Sequence, residues 1–206
     1  MNGAISTVLG AILICSAVVA QAAESSDAIN KAATKVAVEL CSSCHGPGGN
    51  SISPTFPKLG GQQQMYLAAQ IRAFKAKSRS DPEAHDYMWG MAATVDESIV
   101  DALASYYASQ PAPHGKPGNP QLVAQGEKLY ENGDSARKIT PCAGCHGVKA
   151  EGQTIFPRLA GQHSAYLVRQ LQVIQKELRK SPVMHGIITE LTPSDMQAVA
   201  EFLQSR

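Results

Sequence analysis

The chain has 206 residues, a formal net charge of +1 and 17% charged residues. That length accommodates one large or two small domains. A nearly neutral chain lacks the basic surface that nucleic acid binding requires, so nucleic acid is excluded as a main partner.

Residues 1–23 read as a signal peptide. Ile5 to Ala20 is an apolar run, and Ala20-Gln21-Ala22 is a small-x-small cleavage site. The run is shorter than a comfortable membrane span. No Lys or Arg precedes it, so an uncleaved N-terminal anchor is the alternative. Cys15 lies inside the run and leaves with it. Bulky Ile14 argues against lipid attachment there.

A short helix is expected around Thr34–Leu40. It leads into Cys41-Ser42-Ser43-Cys44-His45, and a second copy of this pattern follows at Cys142-Ala143-Gly144-Cys145-His146. C-x-x-C-H is the attachment signature of c-type haem. Each thiol forms a thioether with one haem vinyl group, and the adjacent histidine reaches the iron as proximal ligand. A zinc knuckle would need further Cys or His at knuckle spacing. A thiol redox pair would need a thioredoxin-like βαβ context. Neither is present. The expected cofactors are therefore two covalently bound haem c groups, on Cys41 and Cys44 and on Cys142 and Cys145. Haem attachment outside the cytoplasm agrees with export and leaves no disulfide to expect.

The halves repeat well beyond these motifs. Phe56-Pro57-Lys58-Leu59-Gly60-Gly61-Gln62 matches Phe156-Pro157-Arg158-Leu159-Ala160-Gly161-Gln162. Tyr66, Leu67 and Gln70 match Tyr166, Leu167 and Gln170. Leu67, Ile71 and Phe74 form a helical stripe, matched by Leu167, Leu171, Ile174 and Leu178. Met88-Trp89-Gly90 matches Met184-His185-Gly186. Val100, Leu103, Ala104 and Tyr107 follow one helix face and match Met196, Val199, Ala200 and Leu203. Between the halves, residues 111–120 hold four prolines and two glycines and read as a linker. A second short helix is expected at Leu122–Tyr130. Thr192-Pro193 is a cap followed by proline at the first helical position. No segment alternates with period two. The expected fold is all-α: residues 24–110 and 121–206 as two domains, each wrapped around one haem. A half of this size has a thin core, so the haem must supply much of its buried apolar surface.

Each histidine-bound haem leaves one iron position for a second ligand, and methionine suits it. Met65 lacks a repeat partner, and Met196 sits on a core stripe. Met88, Met91 and Met184 remain. Met88 aligns with Met184 whereas Met91 aligns with Ile187, so Met88 and Met184 are assigned. With His45 and His146 they complete the metal-ligand set. The rival ligands His85 and His185 are expected to be exposed loop residues, and His114 and His163 to lie on the surface. Pro57 and Pro157 follow the proximal histidines by 12 and 11 positions. Their carbonyls either hold the imidazole N–H or mark simple turns. Lys58 and Arg158 either pair with haem propionates or are solvated.

Residues 24–110 carry seven Lys/Arg against nine Asp/Glu, a net −2; residues 111–206 carry eleven against eight, a net +3. This asymmetry either steers partners or is solvated surface.

The two C-x-x-C-H sites, the paired Phe-Pro-x-Leu-x-Gly-Gln segments and the Met-x-Gly before each C-terminal helix resemble the cytochrome c4 family of dihaem cytochromes. The resemblance spans nearly all of the mature chain. It implies two class I cytochrome c folds with haems close together, His45 and Met88 on one iron, and His146 and Met184 on the other. It also implies a periplasmic electron carrier, soluble or peripherally associated with the membrane. The expected donor is a quinol-oxidising complex or a dehydrogenase, and the expected acceptor is a terminal oxidase. Two six-coordinate haems leave no iron position for substrate, so the chain is not expected to be an enzyme. The alternative is the cytochrome subunit of a dehydrogenase, or a dihaem enzyme of the peroxidase or thiosulfate dehydrogenase type. Trp89, after Met88, departs from the expected pattern.

Overall fold

The computed structural model describes residues 25–206. The signal peptide expected at 1–23 lies outside the described residues. Helix α1 (25–36) continues through a π-helical turn, Ala37–Cys41, into α2 (Ser42–His45). Then come α3 (Gln64–Lys75), α4 (Trp89–Ala93), α5 (Val100–Ala108), α6 (Pro120–Asn132), α7 (Ala143–His146), α8 (Ser164–Gln175), α9 (Pro182–Ile188) and α10 (Pro193–Gln204). Among the described residues β-structure is confined to two isolated bridges, Asp134 with Ile139 and Gln153 with Phe156. No helix among them is long and apolar enough to cross a membrane.

The first helix starts well before the expected Thr34. Ile29, Ala33 and Ala37 recur every four residues and pack together in the first core, so the amphipathic face extends further back than its apolar density suggested. Helix α6 likewise starts two residues early, at Pro120. Asn119 caps it, its side chain accepting from the amides of Gln121 and Leu122. Proline at the first turn gives up an N–H that has no helical partner anyway.

Helix α5 buries Val100, Leu103, Ala104 and Tyr107, and α10 buries Met196, Val199, Ala200 and Leu203, each 4% exposed or less. The period-3.6 pattern therefore marks both core faces. In the first half α5 packs on α1 and α3; in the second, α10 packs on α6 and α8. Thr192 and Asp195 form a reciprocal capping box at the start of α10. Leu178, expected on the α8 stripe, is exposed instead. The helix stops at Gln175, and Glu177 turns the chain with φ 57°; Lys77 does the same after α3 with φ 54°.

The linker is not a loose tether. The Lys116 amide donates to the Gln204 carbonyl at the end of α10. The halves also meet directly, and reciprocally, through matching residues of the repeat. Gln62 pairs with the backbone of Arg158, and Gln162 pairs with the backbone of Lys58. Gln63 Nε2 donates to the Glu151 carbonyl, while His163 Nε2 donates to that of Ser51. Such self-complementary pairing is the pattern of an isologous contact.

Candidate haem-binding sites

Each C-x-x-C-H motif forms a single helical turn, α2 or α7, so its thiols and histidine leave the backbone within one turn of each other. Glycine ends both turns. Gly46 has φ 74° and Gly147 has φ 85°, backbone that L side chains rarely adopt. A Cβ at Gly46 would also lie 2.7 Å from the Asn50 carbonyl oxygen. The sharp turn folds the following loop back beneath the histidine.

That loop supplies an anchor in both halves. His45 Nδ1 lies 2.8 Å from the Pro57 carbonyl oxygen, and His146 Nδ1 lies 3.0 Å from that of Pro157. A carbonyl only accepts, so Nδ1 carries the proton and Nε2 is left as the ligating nitrogen. Both rings are buried. Burial lowers both imidazole pKa values, opposed by the proline carbonyls, so both rings are neutral near pH 7. Of the two readings open for Pro57 and Pro157, the structure supports the carbonyl anchor.

His45, His146 and all four motif cysteines line one continuous cavity of about 710 Å³ that runs between the halves. Burial pushes the Cys142 thiol up to about 11 and the Cys41 thiol up as well. A redox-active dithiol needs the opposite shift. Among the described residues no three His, Cys, Asp or Glu side chains gather as a metal cluster, so a zinc knuckle has no ligand set.

The methionines separate. Met88 is half-buried against Phe74, Ala84, Ala92 and Trp89, and Met184 is half-buried against the second core; both line the cavity. Met91 also borders it but is 44% exposed. Met88 closes a π-helical turn, Ala84–Met88. It lies six residues past Pro82, while Met184 lies two past Pro182, which accounts for the shortened offset between the repeats.

His85 is exposed, as anticipated, but it sits in the π-helical turn rather than in a loop. His185 is neither a loop residue nor fully exposed: it sits on α9 with Nδ1 3.2 Å from the Ile174 carbonyl. Trp89, its counterpart, donates from Nε1 to the Arg79 carbonyl at 2.8 Å, so both side chains tie the methionine helix to the segment before it. His163 is buried rather than superficial, because its ring reaches Ser51 across the contact between halves. Lys58 is not solvated either, and Arg158 is half-buried. Lys58 Nζ donates to the Gly161 carbonyl at 2.7 Å. Arg158 borders the cavity, and its Nε is buried without a partner.

A polar cluster that the motifs did not announce closes the cavity between the halves. Arg79 donates to Asp81 Oδ1 at 2.7 Å, Gln70 Oε1 at 2.9 Å and Gln170 Oε1 at 2.8 Å. Arg179 donates to the same two glutamine oxygens and to the Tyr66 hydroxyl. The repeat of Tyr66 and Gln70 at Tyr166 and Gln170 was the available signal: polar residues kept at matching places on an apolar stripe. Asp81 has no repeat counterpart; Ser181 stands there.

These residues fit a haem in each half. Paired thiols and an Nδ1-anchored histidine stand on one wall, and His146 Nε2 is buried with no hydrogen-bond partner. A methionine stands on the wall contributed by the helix after α3 or α8. Arginines border the cavity and would supply cations to anionic propionates.

The cytochrome c family model matches residues 31–111 and 123–206. Cytochrome c4 of Azotobacter vinelandii is 36% identical over 176 residues, covering 80% of this chain and 83% of that one. The chain belongs to the cytochrome c4 family. A thiosulfate dehydrogenase electron acceptor of Thiomonas intermedia is 35% identical over 174 residues, covering 81% and 78% respectively. The solved cytochrome c4 of Acidithiobacillus ferrooxidans superposes with a TM-score of 0.76 at 34% identity, covering 81% of this chain and 98% of that one. The chain is thus a tandem pair of all-α cytochrome c folds carrying two haem c groups on its C-x-x-C-H motifs, and its function is electron transfer.

Proposed function

We propose that this cytochrome c4 is a two-electron periplasmic shuttle, with residues 24–110 and 121–206 each holding one haem. In this reading His45 and Met88 ligate the first iron, and His146 and Met184 the second. Bound haem supplies one-electron chemistry between ferric and ferrous iron. The observation that carries the reading is the twofold occurrence of one arrangement. A buried neutral histidine, anchored through Nδ1, shares a cavity with a half-buried methionine, and the residues of that cavity are held by two packed cores. Rigid placement keeps both ligands in position whichever oxidation state the iron holds. The apolar walls exclude water. The reciprocal glutamine and arginine contacts fix one half against the other.

The relative named as an electron acceptor of thiosulfate dehydrogenase supports a dehydrogenase as donor. The acceptor proposed is a terminal oxidase. With both axial positions taken by side chains, the protein carries electrons without transforming a substrate. The test is the optical spectrum and reductive titration of the holoprotein. The expected result is two low-spin haems with a methionine–iron charge-transfer band and two one-electron steps. A high-spin haem, together with steady turnover of peroxide or thiosulfate at roughly 1 per second or faster, would replace this reading with an enzymatic one.

A further inference from the structure

We propose that Gln62 and Gln162 are positioning residues acting in trans, each polarising the peptide group that anchors the proximal histidine of the opposite half. The inference rests on the reading above, that His45 and His146 bind iron.

The carbonyl of Pro57 accepts from His45 Nδ1, and the N–H of the same peptide, on Lys58, donates to Gln162 Oε1 at 3.0 Å. In the other half the Pro157 carbonyl accepts from His146 Nδ1, and the Arg158 N–H donates to Gln62 Oε1 at 2.6 Å. Each anchor is therefore the middle of a chain: imidazole N–H to carbonyl, then amide N–H to a glutamine of the other half. Hydrogen bonds in such chains strengthen one another, since an acceptor at the N–H polarises the amide and pushes electron density onto the carbonyl oxygen, making it a better acceptor.

The glutamines are held for this role. Both are buried, at 7% and 6% exposure. Gln62 Nε2 donates to the Arg158 carbonyl and Gln162 Nε2 to the Lys58 carbonyl, each at 2.9 Å, so each amide grips one residue of the facing loop from both sides. Water is displaced from the peptide N–H, leaving the glutamine as its acceptor.

A stronger acceptor at Nδ1–H makes the imidazole a more basic ligand. A more basic ligand favours ferric iron and lowers the reduction potential. Removing Gln62 therefore raises the potential of the haem on Cys142 and Cys145, and removing Gln162 raises that of the haem on Cys41 and Cys44. Each half sets the other's potential through one amide.

The experiment uses the holoprotein with both haems attached, comparing Gln62→Leu, Gln162→Leu and Gln62→Glu. Two readouts are taken: the midpoint potential of each haem, resolved by NMR during redox titration, and the Nδ1–H resonances of His45 and His146 in the reduced protein. Gln62→Leu should raise the second haem's potential and move the His146 Nδ1–H upfield, with His45 unmoved. Gln162→Leu should do the mirror image. Gln62→Glu keeps an acceptor and makes it anionic, so it should move the His146 resonance downfield. Equal shifts at both haems, shifts confined to the substituted half, or the same direction for Leu and Glu would each overturn the inference. If a Leu variant fails to assemble, Gln62→Glu decides alone: only a downfield His146 shift with His45 unmoved supports it. A wild-type protein without low-spin histidine-ligated haems would sink the ligand reading and this inference together. An intact wild-type spectrum with no trans effect sinks this inference alone.

Discussion

Replacing Arg79 with methionine tests the polar cluster between the halves. Arg79 is 8% exposed and Asp81 is 0% exposed, with Arg79 Nε 2.7 Å and Nη2 3.3 Å from its two carboxylate oxygens. Methionine keeps most of the aliphatic stem, while the guanidinium that lies 4.7 Å over the Phe74 ring is lost with the charge. What disappears is the counter-charge of a carboxylate that no water reaches. Breaking a buried pair by removing one partner costs about 3–5 kcal/mol. The bonds to Gln70 and Gln170 add little to this, because Arg179 still donates to both oxygens. Guanidinium unfolding of the holoprotein, followed by far-ultraviolet circular dichroism, should therefore show a loss near 4 kcal/mol. Arg79→Met with Asp81→Asn removes the buried charge as well, and should recover roughly half of that loss through coupling between neighbours. A single-variant cost below about 1 kcal/mol, the value of an exposed pair, or a double variant no more stable than Arg79→Met, would refute the reasoning.

Burial alone would raise the Asp195 carboxyl, but the Arg137 guanidinium and the Thr192 cap hold it at about 2. Its folded value lies below its unfolded one of about 3.9, so this stabilisation is complete above pH 4 and vanishes as pH falls through 2. Arg137→Ala should therefore destabilise the protein at pH 7 and hardly at all near pH 2; acid unfolding curves would show it. A Cβ at Gly126 would lie 2.0 Å from the Ala198 carbonyl oxygen where α6 crosses α10, so Gly126→Ala should destabilise by about 1–3 kcal/mol, read as a lowered Tm. Met88→Leu should abolish the methionine–iron band of the first haem while Met91→Leu leaves it; the reverse outcome would transfer the ligand role to Met91.

Much of this protein was legible because its chemistry is local. A thioether pair and a proximal histidine need only five consecutive residues, so Cys41 to His45 and Cys142 to His146 announce themselves. The stripes on α5 and α10 have the period of the helix that buries them. The repeat alignment singled out Met88 over Met91, and burial favours the same choice. The shortened offset between repeats was visible too, although its physical form, a π turn ending at Met88, was not.

The rest depended on which surfaces meet. Taken alone, Lys58, Arg158 and His163 are hydrophilic side chains, and hydrophilic side chains are ordinarily solvated. Lys58 and His163 are buried here, and Arg158 half-buried, because the two halves dock through the very loops that hold the histidines, and a docking face leaves no periodic trace in either half. The same holds for Gln62 and Gln162. Their identity repeats in the sequence, but the partner of each lies about a hundred residues away, in the other half. Only the folded pair brings an amide from one repeat onto the peptide that anchors the other's histidine. Motif, helix and repeat are properties of short stretches of chain and follow from residue type and spacing. The arrangement that links one haem site to the other is a property of contact, and tertiary packing decided it.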